Sequence, residues 1–281
     1  MAISPPRLDH VVVDVRGRLE EALGVYRALG FHMTGRSRHT MGSSNHLAVF
    51  ATDYLELLGL DETAMAARPE ISAYPVGLNG LVFLSGDPDR LYGELKALGL
   101  PANEPNSFSR PVELPGGRED ASFRVLRFRP GSFPYGRVYF CRHFTPGLVW
   151  RPEWREHPNG AREIARIVIA VRDPQACADG LAAMFGPEAA GPGAAGSRKL
   201  AAGTAVVEFV THAALSQALG GAAPDPAGRA DYMALLTFRT ASLARAEAAL
   251  GTAGIADLRV EPGRILVPAR AAMNVALEFV A

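Results

Sequence analysis

The chain has 281 residues, of which 48% are hydrophobic and 21% charged, a composition that supports one large packed domain or two ordinary ones. Lys+Arg and Asp+Glu each total 29, so the formal net charge is zero, which argues against a broad electrostatic grip on nucleic acid or an anionic membrane. Two cysteines, Cys141 and Cys177, are too few for a disulfide scaffold, and no apolar run approaches the ~20 residues of a membrane span. The N-terminus has no apolar core behind a basic start. A cytoplasmic protein without nucleic-acid or membrane partners is expected.

In chain order, Leu8-Asp9-His10-Val11-Val12-Val13-Asp14-Val15 is a β-rich apolar run. Leu19, Ala22, Leu23, Tyr26 and Leu29 follow at gaps of three and four, one face of a helix, and Gly30 suits its C-cap. Strands are expected around 31–39 and 45–51, and Tyr54-Leu55-Glu56-Leu57-Leu58 closes the unit. The order strand, helix, strand, strand, strand then recurs. Residues 78–85 form a strand, and Asp87-Pro88 opens a helix carrying Leu91, Leu95 and Leu98. After a Pro-rich stretch, 123–128 and 137–143 read as strands. A third unit starts at 165–171, has a helix from Asp173-Pro174, and closes at 206–210. The fourth starts at 232–238, has a helix over 243–250, and closes at 275–280. Glu56, Glu208 and Glu278 each sit between apolar neighbours in a closing strand, and Cys141 takes that place in the second unit.

Four βαβββ units predict two domains, 1–146 and 163–281, joined by a linker over 147–162. Trp150 and Trp154 in that linker are expected to pack between the domains. The Gly/Ala/Pro-rich stretches 186–196 and 220–228 read as exposed spacers.

Paired βαβββ units opening with LDHVVV and closing with YLELLG resemble the vicinal oxygen chelate superfamily. HTMGSSNHLAVFATDYLELLG from His39 and FCRHFTPGLVWRPEWREHPNG from Phe140 resemble its glyoxalase-like domain proteins. The resemblance implies an α+β fold of two domains, each a curled mixed sheet around a cavity. It also implies a divalent metal (Zn, Fe, Mn, Ni or Co) held by first and last strands. The superfamily includes isomerases, lyases, extradiol dioxygenases and metal-free drug-sequestering proteins, so fold narrows the chemistry only to a list.

Because a strand presents alternate residues to one face, His10 and Glu56 can both point inward. The second unit departs from the pattern: Gly80 matches His10, and Cys141 matches Glu56, with His143 two residues on. His10, Glu56 and His143 form the expected metal set, a two-His-one-carboxylate triad with open positions, and Glu56 doubles as a catalytic base. Competing readings make His10 a satisfied buried imidazole beside Asp9, Glu56 a partner of an arginine, and Cys141 a core residue.

Residues 101–136 read as a long lid-like segment. Within it, alternation groups Arg127 with Arg129 and puts Arg124 opposite. Substrate contacts are expected from Asn45, His46, Phe123, Arg127 and Arg129, with the arginines gripping a carboxylate or phosphate. For His46, a backbone hydrogen bond is the other reading. In the second half Arg166 and Ala234 stand where His10 does, so Glu208 and Glu278 are expected to pair with arginines in a non-catalytic copy. Two functions remain: a metal-dependent lyase, isomerase or dioxygenase acting on a small oxygen-bearing, aromatic or carboxylated substrate, or a metal-independent small-molecule binding protein. The protein is expected to act as a monomer or homodimer.

Overall fold

The structure, a computed structural model, describes residues 3–281. The first half runs β1 (Leu8–Arg16), α1 (Leu19–Ala28), β2 (Ser37–Arg38), β3 (Ser44–Val49), β4 (Tyr54–Gly59), α2 (Glu62–Ala67), α3 (Pro69–Ser72), β5 (Gly77–Leu84), α4 (Pro88–Ala97), β6 (Asn106–Leu114), β7 (Gly117–Arg127) and β8 (Arg137–His143). The second runs β9 (Ala161–Val171), α5 (Pro174–Phe185), β10 (Ala190–Pro192), β11 (Arg198–Ala202), β12 (Ala205–Thr211), α6 (His212–Leu219), β13 (Tyr232–Thr240), α7 (Leu243–Thr252), β14 (Arg259–Glu261), β15 (Arg264–Val267) and β16 (Ala276–Val280). The capping chemistry behaves as its residues dictate. Asp87 and Asp173 accept from the first free amides of α4 and α5, ahead of Pro88 and Pro174. Gly30 follows α1 at φ +80, a left-handed conformation that glycine adopts without strain.

Each half forms one eight-stranded sheet, β2-β3-β4-β1-β5-β8-β7-β6 and β10-β11-β12-β9-β13-β16-β15-β14. The same plan in both halves is the four-unit repeat made visible. In each, the two opening strands lie antiparallel at the centre, and each pairs in parallel with its own unit's closing strand.

Two elements differ from expectation. Only Ser37–Arg38 is a strand within 31–39. The segment read as a lid is mostly a β6–β7 hairpin, with Asn106 opposite Val125 and Leu114 opposite Gly117. Pro111 obscured β6 in the sequence; it is tolerated because β6 is an edge strand, where a missing N–H costs no ladder bond.

Strand alternation sorts side chains into layers. Val11, Val13, Leu55, Leu57, Leu81 and Phe83 face outward and join Ile167, Ile169, Leu236 and Phe238 of the other sheet, with the helices, in one shared core. Phe31 and Phe50 meet Phe238 with ring centres 5.0 and 5.5 Å apart. The segment between β8 and β9 is a fitted strap. His157 accepts from the His32 amide at 3.0 Å and donates to the Val49 carbonyl at 3.0 Å, and Asn159 donates to the Leu29 carbonyl at 2.9 Å. Trp150 and Trp154 pack on the inner cluster of the first sheet rather than between the domains. Trp150 lies against Tyr54 and His143, because the open edge of the first curl presents the apolar surface there.

Candidate functional site

The concave face of the first sheet carries the site. Six strands line it with alternate residues: His10 from β1, Asn45 and Leu47 from β3, Tyr54, Glu56 and Leu58 from β4, Phe108 and Arg110 from β6, Phe123, Val125 and Arg127 from β7, and Arg137, Tyr139 and Cys141 from β8. His39, Arg68 and Ile71 close one side, and the empty space, open mouth included, is about 610 Å³.

Glu56 is 6% exposed and accepts from the Asn45 amide at 2.6 Å. Its other oxygen lies 3.7 Å from His10 Nε2. Burial works against its charge, yet His39, His10, the Asn45 donation and Arg110 hold its pKa below the usual carboxylate range. Burial and the nearby arginines push His39 itself down to about 4, so its ring is neutral near pH 7. We therefore assign the stabilisation of Glu56 mainly to the other neighbours.

Behind His10 stands Asp9, 2.6 Å from Nδ1. A break in strand register between Leu8 and His10 lets both side chains of this pair reach the same region. Burial raises the pKa of Asp9, but His143 and His10 outweigh that and hold it at about 2. A carboxylate only accepts, so Nδ1 carries the proton; in the neutral ring Nε2 is an acceptor aimed at the Tyr139 hydroxyl, 3.3 Å away. Tyr54 stacks on the ring at 4.4 Å and fixes its plane.

Arg110 and Arg127 have no carboxylate partner among the described residues. Arg110, 3% exposed, donates to Ser37 at 3.0 Å and sits over the Phe123 ring. Arg127 donates to Asn106 at 2.7 Å and lies over the Tyr139 ring. Burial lowers both pKa values, which leaves guanidinium groups charged at neutral pH all the same. By contrast Arg137 is committed to Asp14 through contacts of 2.5 and 2.7 Å.

Several expected site residues fall elsewhere. His143 does not join His10 and Glu56: its Nε2 lies 3.0 Å from both Asp9 oxygens, on the Nδ1 edge of His10, whereas Glu56 faces the Nε2 edge. One ion cannot use opposite edges of one imidazole, so the expected triad does not converge. His46 alternates away from Asn45 and bonds the Thr34 carbonyl at 2.8 Å, outside the cavity. Arg129 lies beyond the end of β7, exposed; Arg124 pairs with Asp89 on the outer face. Asn45, Phe123 and Arg127 do line the cavity with His10 and Glu56.

Register also corrects the match of Glu56. His10 lies opposite Tyr54 and Val12 opposite Glu56, while Gly80 lies opposite Arg137 and Val82 opposite Tyr139. Tyr139, not Cys141, therefore corresponds to Glu56. In the fourth unit Leu235, not Ala234, corresponds to His10, because the strand slips by one at Ala234. Tyr139, Arg110 and His39 escaped the sequence reading. Period-two spacing from Cys141 points to Tyr139, but Pro111 hid the strand of Arg110, and His39 lies in an irregular segment.

These donors do not fit the metal that the resemblance implies. His10 and Glu56 supply two ligands and Gly80 has no side chain; His39 Nε2 lies 3.8 Å from Glu56 but accepts from the Asn45 amide at 3.2 Å, and His10, His39 and Glu56 do not bring their donor atoms into one cluster. Asp9, Cys141 and His143 have donor atoms within 4.8 Å of one another. They serve each other instead: His143 donates to Asp9 at 3.0 Å, Asp9 also accepts from His10, and the Cys141 sulfur lies 3.7 Å from His143 Nε2.

The second sheet shows why its curl is not an equivalent site. Arg166, at the His10 position, reaches Glu208 at 3.0 Å and Glu278 at 2.9 Å. Leu215 and Leu219 of α6 fill the concave face against Val168, Tyr232 and Leu235. A guanidinium and a helix thus occupy the space that the first sheet leaves open.

Two paired βαβββ units per sheet around a cavity define a vicinal oxygen chelate fold. A family model described as "Glyoxalase-like domain" matches residues 8–185, more than half of the chain, and the chain belongs to that family. No curated protein sequence matches it. Among solved structures it is similar to a hypothetical protein from Staphylococcus aureus, with TM-score 0.70 at 8% identity, covering 97% of this chain and 98% of that one. A mutant 4-hydroxymandelate synthase from Streptomyces coelicolor is similar at TM-score 0.59 and 11% identity, over 99% of this chain and 93% of that one. A fusion of a xylose isomerase-like TIM barrel with a 4-hydroxyphenylpyruvate dioxygenase is similar at TM-score 0.63 and 13% identity, over 100% of this chain and 49% of that one. At these identities the likeness is one of fold. No helix among the described residues is long and apolar enough to cross a membrane.

Proposed function

We propose that the first cavity binds a small organic oxyanion and that His10 and Glu56 move a proton on it, without a resident metal. The observation that supports this is a pair of guanidinium groups, Arg110 and Arg127, that line the cavity with no carboxylate in contact. Glu56 is one negative charge against these two positive ones, and an anionic ligand would balance the excess. The ionised Glu56 and the Nε2 acceptor of His10 stand 3.7 Å apart, a pair suited to hold one proton. Asp9 positions the ring. The chemistry is of the isomerase or lyase kind, with proton removal beside a carboxylate-bearing carbon.

The test is a panel of small 2-oxo and 2-hydroxy carboxylates, offered in D₂O to protein stripped with a chelator. Binding is expected, with deuterium entering at C3 of the 2-oxo acids or at C2 of the 2-hydroxy acids. Arg127→Met should weaken binding by about 10–100-fold, the value of a charge-assisted contact. Glu56→Gln should keep binding and lose exchange. Binding without exchange in the unaltered protein would instead favour a sequestering protein. Activity that returns only with added divalent metal would overturn the metal-free reading.

A further inference from the structure

A second, larger chamber lies outside the first. It is lined by Ile71, Phe128, Pro130, Phe133 and Val138 together with Arg129, which lies outside the inner cavity, holds about 1380 Å³ counting its open mouth, and is mostly apolar. Ile71, Arg127, Arg137 and Tyr139 line both chambers, so the two spaces adjoin at these four side chains. Arg137 is held by Asp14, which leaves Arg127 as the cation at the junction without a carboxylate.

Resting on the oxyanion reading above, we propose that the ligand is an amphipathic organic acid. Its polar end reaches His10 and Glu56, its anionic group sits at Arg127, and its apolar body fills the outer chamber. Three features together carry this. The inner chamber is narrow and carries His10, Glu56, Asn45 and Arg110, so it suits a small polar head group. The outer one is roomy and apolar, so an unfilled body there would waste contact with Phe128, Phe133 and Val138. The cation stands where the two meet. A compact acid would use the inner chamber alone.

The experiment measures binding of straight-chain carboxylates from butanoate to decanoate by calorimetry. With the unaltered protein, affinity is expected to rise about three- to fourfold per added methylene, the value of burying a CH₂. Ala73 and Ser132 both line the outer chamber and lie outside the inner one. In Ala73→Trp and Ser132→Trp, each narrowing that chamber, butanoate binding should be unchanged, which also shows that the variants fold. The gain with length should flatten in at least one of them. A flat length series in the unaltered protein overturns the proposal while leaving the oxyanion reading intact. So does a slope that persists in both variants. Failure of butanoate and every longer acid to bind would sink both readings.

Discussion

Charge placement decides what single residues do here, and Asp53 shows it outside the cavity. Its carboxylate is 1% exposed and accepts from the Ile164 amide of the other half at 3.1 Å. Burial pushes its pKa up to about 7, against the lowering pull of that hydrogen bond. An acid whose folded pKa exceeds its unfolded value stabilises the fold below pH ~4, and that contribution is lost as pH rises towards 7. Asp53→Asn keeps an acceptor oxygen and removes the titration. It is expected to gain about 1–3 kcal/mol over the parent at pH 8 and little at pH 4, seen in denaturant melts at the two pH values. Asp9 runs the other way: with its pKa at about 2, its contribution is present above pH ~4 and is lost only as pH falls towards 2. The residues of the candidate site divide similarly. Glu56 and His10 were legible from strand alternation, whereas the orientation of His143 depended on which edge of His10 its strand reached.

At the scale of elements, Gly80 ties sheet geometry to site chemistry. A Cβ there would meet Val12 Cβ at 2.7 Å, nearer than real contacts allow. The central pair β1–β5 slips register just beyond this point, between Val12 and Val13, and Gly80 lets the strands approach. The position therefore could not carry a third metal ligand without moving β1. Gly80→Ala is expected to cost about 1–3 kcal/mol, and Val12→Ala in the same chain should recover part of it, as a double-mutant cycle in urea would show. Equal loss in single and double variants would mean that the clash is not the cause. The hairpin β6–β7 teaches a related lesson. Its apolar and cationic residues alternate correctly for a cavity wall, but a proline in β6 and charged residues near the turn left only 123–128 legible as a strand.

For the whole molecule, the two sheets share a core across their outer faces, so the halves are not independent. Phe238 of β13 packs on Phe31 and Phe50 of the first half and on Phe279 of its own. Phe238→Ala is expected to cost about 3–5 kcal/mol and to lower a single unfolding transition seen alike by fluorescence and circular dichroism. Two separated transitions would refute that coupling. A fragment of residues 1–162 should expose Phe31 and Phe50, bind a hydrophobic dye and lose cooperative unfolding. The second half thus serves the site through packing: it covers the outer face of the sheet whose inner face holds the cavity.

Local periodicity determined the repeat, the helix starts and the inward pair His10–Glu56, because alternation and capping act over a few residues. The pairing of Glu208 and Glu278 with Arg166 was also legible, since two inward carboxylates of one curl need cations; Lys199 and Arg264 supply the rest of the positive charge. Only the tertiary structure decided that Tyr139 holds the position corresponding to Glu56, that His143 turns to Asp9, and that Arg110 and Arg127 face the cavity without carboxylates in contact. Those outcomes rest on register, on a slipped pairing at Leu8–His10 and on a hairpin docking across the sheet. Each is a relation between segments far apart in the chain, set by packing rather than by neighbours in sequence.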